Sequence, residues 1–172
     1  MPVDAASIMT RRVLTAKLDD TVAEIAKRLL QRGISALPVC DESGTLVGII
    51  SEGDLLRPFG RDHQLRGSWW LGLLANGSPL IQELVEYVRS DQRRARDVMT
   101  SPVISVTEDT SVCDVAGLLI RHHIKRVPVM RNNMVVGIVS RADVVCVLAQ
   151  RPHALDDTWQ PAHAGGNLPL CD

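Results

Sequence analysis

The chain has 172 residues, of which 45% are hydrophobic and 23% are charged, with 19 Lys and Arg against 20 Asp and Glu. This composition is that of a globular protein and excludes a disordered or collagen-like chain, while the balanced charge excludes the broad positive potential of a non-specific nucleic-acid binder. Aromatic residues make up only 3% of the chain, so we predict an aliphatic core and no stacking platform for single-stranded nucleic acid.

The amino-terminal residues have no apolar run behind a basic start and therefore do not predict a secretory signal. No stretch approaches the roughly 20 apolar residues of a membrane-spanning helix. The four cysteines show neither CxxC spacing nor a zinc-like arrangement with histidine. We therefore expect a protein of the reducing cytoplasm, without a metal site, membrane contact or nucleic-acid partner.

Two stretches of the sequence repeat each other. Residues 8–39 align with residues 98–129 at an offset of 90, and residues 47–56 align with residues 136–145 at an offset of 89. Most mismatches exchange one aliphatic residue for another. The chain therefore contains two copies of one structural unit.

Each copy begins with a short β-like segment, at residues 13–15 and 103–105. A helix follows, because a pair of residues with capping-box spacing precedes an apolar stripe whose members recur at helical intervals. The capping pairs are Thr21 with Glu24 and Ser111 with Asp114.

Beyond this helix, each copy has an apolar run that contains a proline, Pro38 or Pro128, which suggests an edge or first position in a sheet. A turn rich in Asp, Asn or Gly leads into another strand, at residues 46–51 and 134–140, and a second helix begins at once. The order is β-α-β-β-α, and one such unit is too small to bury its own sheet face. We therefore predict an α/β (α+β) fold in which two units pack face to face and share a core.

These motifs, in this order and present twice, resemble the cystathionine-beta-synthase (CBS) domain. In the first copy they are Met9-Thr10, Thr21-Val22-Ala23-Glu24, residues 34–39 and residues 47–54; in the second they are residues 97–100, 124–129 and 136–143. The resemblance implies a pseudo-twofold pair of repeats that often dimerises into a flat disk. It also implies two clefts between the repeats that bind adenosyl ligands such as AMP, ATP or S-adenosylmethionine.

On this basis we divide the chain into four parts. A first CBS repeat spans residues 1–57, a helical insert spans 58–95, a second CBS repeat spans 96–150, and a flexible tail without periodicity spans 151–172.

The insert contains Trp69 and Trp70, followed by a predicted helix that starts at Ser78-Pro79 and ends at the arginines of residues 93–96. One interpretation is a helical cover for the repeat core. The other is a surface for self-association or for a protein partner, because Trp is enriched at interface hot spots.

Two motifs, Ser51-x-x-Asp54 and Ser140-x-x-Asp143, lie where a strand passes into a helix. Ser as N-cap and Asp in the first turn would stabilise the helix by about 1 kcal/mol without any ligand. An ionised Asp also accepts hydrogen bonds only, so it matches the two donor hydroxyls of a ribose, and helix N–H groups suit a phosphate. By resemblance, each Asp holds the ribose, and the Ser hydroxyl or nearby amides approach the phosphate.

The two copies differ in charge, because Lys125 and Arg126 stand where the first copy has Ser35 and Ala36. By resemblance these cations reach a ligand phosphate; alternatively they are solvated charges at a strand end. Adenine needs an apolar slot with backbone hydrogen bonds. The complete set of expected ligand-binding residues is Thr15, Ala16, Ala36, Pro38, Ser51, Asp54, Ile104, Ser105, Lys125, Arg126, Val127, Pro128, Ser140 and Asp143.

Three classes of function follow. The first is a regulatory ligand sensor, forming a homodimer and needing no cofactor apart from the adenosyl nucleotide it senses. The second is a structural interaction module without a nucleotide. The third, an enzyme, is not expected, because the sequence has no nucleophile elbow, phosphate-binding Walker loop, H-E-x-x-H or Cys-His arrangement.

Overall fold

The computed structural model describes residues 3–57 and 91–150. They form two three-stranded sheets with accompanying helices, one from each repeat. The elements of the first stretch are α1 (Ala5–Ile8), β1 (Ala16–Lys17), α2 (Val22–Arg32), β2 (Ala36–Cys40), β3 (Leu46–Ser51) and α3 (Glu52–Leu56). Those of the second stretch are α4 (Ala95–Val98), β4 (Val106–Thr107), α5 (Val112–Arg121), β5 (Arg126–Arg131), β6 (Met134–Ser140) and α6 (Arg141–Gln150).

The two sheets have the same topology. In each, the first strand runs parallel to the second, and the second runs antiparallel to the third, so the orders are β1-β2-β3 and β4-β5-β6. The crossover between the parallel strands is the long helix, α2 or α5. The predicted β-α-β-β-α order and the mixed α/β class are confirmed.

The first strand of each repeat is shorter and later than predicted. Instead of residues 13–15 and 103–105, the paired residues are Ala16–Lys17 and Val106–Thr107. The reason is register: β1 lies beside only the last two residues of β2, Val39 and Cys40. The parallel pairing does not continue to the earlier residues of β2, where Pro38 has no N–H to donate.

The proline-containing strands are central rather than at an edge, so that prediction is wrong. Pro38 lies in β2 opposite Ile49 of β3, and Pro128 lies in β5 opposite Ile138 of β6. Proline is tolerated because the parallel neighbour pairs only with the residues that follow it. At the position of the proline, the central strand is paired with one neighbouring strand only, as an edge strand is.

The helices begin where the capping spacing predicts. At α2, Glu24 accepts from the Thr21 N–H at 2.8 Å while the Thr21 hydroxyl accepts from the Glu24 N–H at 3.3 Å, which completes the box. At α5, the Ser111 hydroxyl accepts from the Asp114 N–H at 3.1 Å. Gly33 ends α2 in the left-handed region with φ 61°, a conformation that glycine adopts at little cost.

The short helices α1 and α4 are exchanged between the repeats. The N–H groups of Ala5 and Ala6, in α1, donate to Thr110 and Glu108 of the second repeat. Ala95, at the start of α4, donates to Asp20 of the first repeat at 2.8 Å. Each of these short helices therefore packs against the repeat to which it does not belong in sequence.

The exchange produces two aliphatic cores instead of the single shared core that we predicted. One core combines residues of the first repeat with Ala95 and Val98 of α4. The other combines residues of the second repeat with Ala5 and Met9. The largest fully buried side chains are Ile25, Leu37, Ile50, Leu119 and the buried valines, as the low aromatic content predicts.

The predicted helix of the insert, Trp69, Trp70 and the tail lie outside the described residues. The arginines assigned to the end of that helix lie elsewhere: Arg93 pairs with Asp91, and Arg94 immediately precedes α4. Arg96 lies inside α4 and pairs with Asp19 of the first repeat. Within the described ranges, no helix has both the length and the apolar character needed to cross a bilayer.

Candidate functional site

The two Ser-x-x-Asp motifs lie at matching corners of the two sheets. Because β2 and β3 are antiparallel, the start of β2 lies beside the end of β3, where Ala36 pairs with Ser51. Ser51 closes β3 and Asp54 lies in the first turn of α3. Ser140 and Asp143 occupy the same places at β6 and α6.

In the first repeat the serine holds the carboxylate from two sides. The Ser51 N–H donates to Asp54 Oδ2 at 2.8 Å, and the Ser51 hydroxyl donates to the same oxygen at 2.7 Å. The second oxygen, Oδ1, accepts from Arg57 Nη2 at 2.9 Å and from Thr100 Oγ1 at 3.3 Å. The Asp54 side chain is only 8% exposed.

In the second repeat the serine makes the same two bonds. The Ser140 N–H and hydroxyl donate to Asp143 Oδ2 at 2.7 and 2.6 Å. The Asp143 N–H lies 3.4 Å from the Ser140 hydroxyl. Asp143 is half-buried. Both serines and both aspartates thus take the capping positions predicted from the sequence.

A half-buried cation, Arg126, lies between the two repeats. It stands opposite Ser140 in the β5–β6 register, and its guanidinium donates to the hydroxyl of Ser35 in the first repeat. Burial lowers the pKa of Arg126, while the charges of Glu52 and Asp143 oppose that shift. Arg126 remains a cation, because guanidinium keeps its proton in proteins, and it faces carboxylates of both repeats.

The other expected ligand-binding residues divide by exposure. Five of them lie buried on strands: Ala16, Ala36, Pro38, Val127 and Pro128. Ala36 stands directly opposite Ser51. Thr15, Ser105 and Lys125 are exposed, and Ile104 is half-buried against the second core.

Sequence reasoning missed Arg57 and Thr100, which contact Asp54, and Glu52, which is buried at the start of α3. Spacing could have identified Arg57, because it lies three residues after Asp54 in a helix. Thr100 could not be found this way, since it is 46 residues away in sequence. Among the described residues, no group of three or more His, Cys, Asp or Glu is placed to hold a metal ion.

The family model for the CBS domain matches residues 5–60 and 95–150. The chain belongs to the CBS-domain family. The match confirms the tandem pair, since each segment contains one Ser-x-x-Asp corner.

Several known proteins are similar to this chain over most of its length. The uncharacterized protein YlbB of Bacillus subtilis is 30% identical over 138 residues, covering 80% of this chain and 76% of YlbB. The CBS domain pair of protein MJ0100, solved with 5′-methylthioadenosine and S-adenosyl-L-methionine, has a TM-score of 0.65 at 25% identity, covering 88% of this chain and 99% of that one. CBSX2 of Arabidopsis thaliana, solved with AMP, has a TM-score of 0.64 at 25% identity, covering 86% of this chain and 96% of that one.

Proposed function

We propose that this chain is a regulatory module that binds an adenosyl ligand, such as AMP, ADP, ATP or S-adenosylmethionine, in the clefts between its two CBS repeats. It catalyses no reaction, and occupancy acts through the packing of the repeats. The observation that carries this proposal is the carboxylate at each strand-to-helix corner, oriented by the N–H and hydroxyl of a serine. The solved CBS pairs with AMP and with S-adenosyl-L-methionine support the class of ligand.

The chemistry of these corners suits a nucleoside. Each serine engages one carboxylate oxygen, Oδ2, and a ribose diol can donate to a second oxygen that remains available, as Oδ1 of Asp143 does among the described residues. Adenine needs an apolar slot with backbone hydrogen bonds, and we propose that the strands at the buried residues Ala36 and Val127 supply it. Arg126, with the exposed Lys125 next to it, supplies positive charge for a phosphate or for the carboxylate of S-adenosylmethionine.

Arg126 also explains how binding would reach the rest of the molecule. Its bond to Ser35 joins the second repeat to the first. A ligand anion that engages Arg126 competes with this bond, so bound and free forms have different contacts between the repeats. That difference is what a ligand needs in order to shift a packing equilibrium.

Calorimetry tests the proposal. AMP and S-adenosylmethionine are titrated into the wild type and into Asp54→Asn/Asp143→Asn, in which both side chains keep their shape but lose their charge. We expect affinity to fall at least about tenfold in the variant, because bonds to an ionised acceptor are lost. Equal affinity in the two proteins would contradict the assignment of these carboxylates.

An interaction module without a nucleotide is the alternative function. The melting temperature distinguishes the two, because only a ligand that binds the folded state raises it. A rise in the wild type that is reduced in the double variant supports the sensor. No rise with AMP, ADP, ATP or S-adenosylmethionine supports the interaction module.

We also propose a homodimer as the working form. Ile120 of α5 is 69% exposed and Val145 of α6 is 61% exposed, on helices that pack against each other. Such apolar exposure is typical of a surface that contacts another chain. In sedimentation, Ile120→Glu/Val145→Glu should convert a dimer into a monomer, and a wild type that sediments as a monomer would contradict the proposal.

Free thiols at Cys40, Cys113 and Cys146 favour the cytoplasm as the location of this protein.

A further inference from the structure

The two carboxylates of the pair are in different states, although the repeats are copies of one unit. At Asp54 both oxygens are in use: Oδ2 by Ser51, and Oδ1 by Arg57 at 2.9 Å and Thr100 at 3.3 Å. At Asp143 only Oδ2 is in use, by Ser140. Among residues 3–57 and 91–150, no side chain or backbone N–H donates to Asp143 Oδ1.

The difference comes from identifiable substitutions between the repeats. Arg57 lies three residues after Asp54, whereas Cys146 lies three residues after Asp143 and cannot form an ion pair. Thr100 pairs with Ile49 through its backbone, as Thr10 pairs with Ile138, but only the Thr100 hydroxyl reaches a carboxylate. The first corner therefore has two donors that the second corner lacks.

The surrounding charges differ in the same direction. The residue that begins the helix after the serine is Glu52 in the first repeat and Arg141 in the second. Glu52 is buried, whereas Arg141 is exposed. Arg126 takes the place that Ala36 has in the first repeat, and its charge interacts with those of Glu52 and Asp143. The second repeat therefore has two cations, Arg126 and Arg141, at positions where the first repeat has Ala36 and Glu52.

We propose that each chain binds one adenosyl ligand, with its ribose on Asp143, and that Arg57 and Thr100 close the equivalent position at Asp54. This inference rests on the proposed function and specifies which corner carries it. A ribose diol can donate to the open oxygen of Asp143 without displacing another group. At Asp54 the same diol must break a charge-assisted bond from an arginine, and such bonds are stronger than neutral ones.

The first test compares matched single variants by calorimetry with AMP and with S-adenosylmethionine as probes. We expect one ligand per chain in the wild type and at least about tenfold weaker binding in Asp143→Asn than in Asp54→Asn. The two variants make the same chemical change at equivalent places. A stoichiometry of two per chain, or loss of binding in Asp54→Asn alone, would overturn the inference and leave the proposed function standing. No binding of either probe to the wild type would overturn both.

The second test opens the closed corner. In Arg57→Ala/Thr100→Val, Asp54 keeps its serine but loses the two donors on Oδ1. We expect the stoichiometry to rise from one to two ligands per chain. Circular dichroism and the melting temperature establish that the variant is folded. A folded variant that still binds one ligand would overturn the assignment of Arg57 and Thr100 as the residues that close this position.

Discussion

Two methionines from the exchanged segments pack directly on glycines of the sheets. A methyl group added at Gly137 of β6 would overlap the Met9 side chain, and one added at Gly48 of β3 would overlap Met99. These glycines are needed for close approach. In sequence the Met-Thr and Val-Gly-Ile motifs look independent, but in the fold each methionine contacts the glycine of the other repeat.

This contact gives a prediction for stability. Gly137→Ala should lower the free energy of unfolding by about 1–3 kcal/mol, the usual cost of overpacking a close contact. Gly117→Ala is the matched control, since it lies within α5 and its nearest neighbour would be Arg121 Nη2 at 3.8 Å. It should raise stability by about 0.5–1 kcal/mol, because alanine favours a helix. Urea unfolding measures both, and equal stability of the two variants would contradict the contact.

At the scale of elements, carboxylates fix the beginnings of helices and the turns between strands. The bond from the Thr21 N–H lowers the pKa of Glu24 at the start of α2. In the turn between β2 and β3, the Ser43 hydroxyl lowers the pKa of Asp41, and the Thr45 N–H adds to the effect. In the folded protein these carboxylates accept hydrogen bonds that favour their ionised form.

The same groups predict how stability depends on pH. A pKa lowered on folding stabilises the protein fully above the ordinary values, 4.5 for Glu24 and 3.8 for Asp41, and this contribution is lost as pH falls through the lowered folded-state pKa. Glu108, whose pKa is lowered by its bond from Arg131, acts in the same direction. The free energy of unfolding should therefore fall below about pH 4.5.

Urea unfolding at pH values from 7 to 3 measures this loss. Glu24→Gln provides the control, because its side-chain oxygen can still accept the Thr21 bond but no longer titrates in this range. The variant should lose less stability than the wild type over the acid interval. A wild type with constant stability down to pH 3 would contradict the assignment.

At the scale of the whole molecule, the exchange of α1 and α4 makes each core depend on the other repeat. Ala5 and Met9 complete the second core, and Ala95 and Val98 complete the first. Backbone hydrogen bonds also join the two repeats, because Thr10 of the first repeat pairs with Ile138 of β6. Each core therefore contains residues of both repeats.

Removal of residues 1–10 tests this dependence. The N–H groups of Val112 and Ile138 donate to Val3 and Thr10, at 2.9 and 3.1 Å. Hydrogen exchange should therefore show a loss of protection in the second repeat that exceeds the loss at Ile49, which donates to Thr100. Greater loss in the first repeat would contradict the exchange.

The sequence by itself determined the features that depend on local spacing. The repeat, the capping pairs and the apolar stripes are properties of neighbouring residues, so the β-α-β-β-α order and the serine–aspartate corners could be predicted. The short first strands and the central prolines could not, because they depend on how far β1 and β4 extend beside their partners. The difference between the two aspartates could not be predicted either. Asp54 and Asp143 lie in the same motif, but Asp54 also accepts a hydrogen bond from Thr100, which is 46 residues away in sequence. Only the tertiary structure brings such groups together, because contact across that distance is set by packing and not by the spacing of residues along the chain.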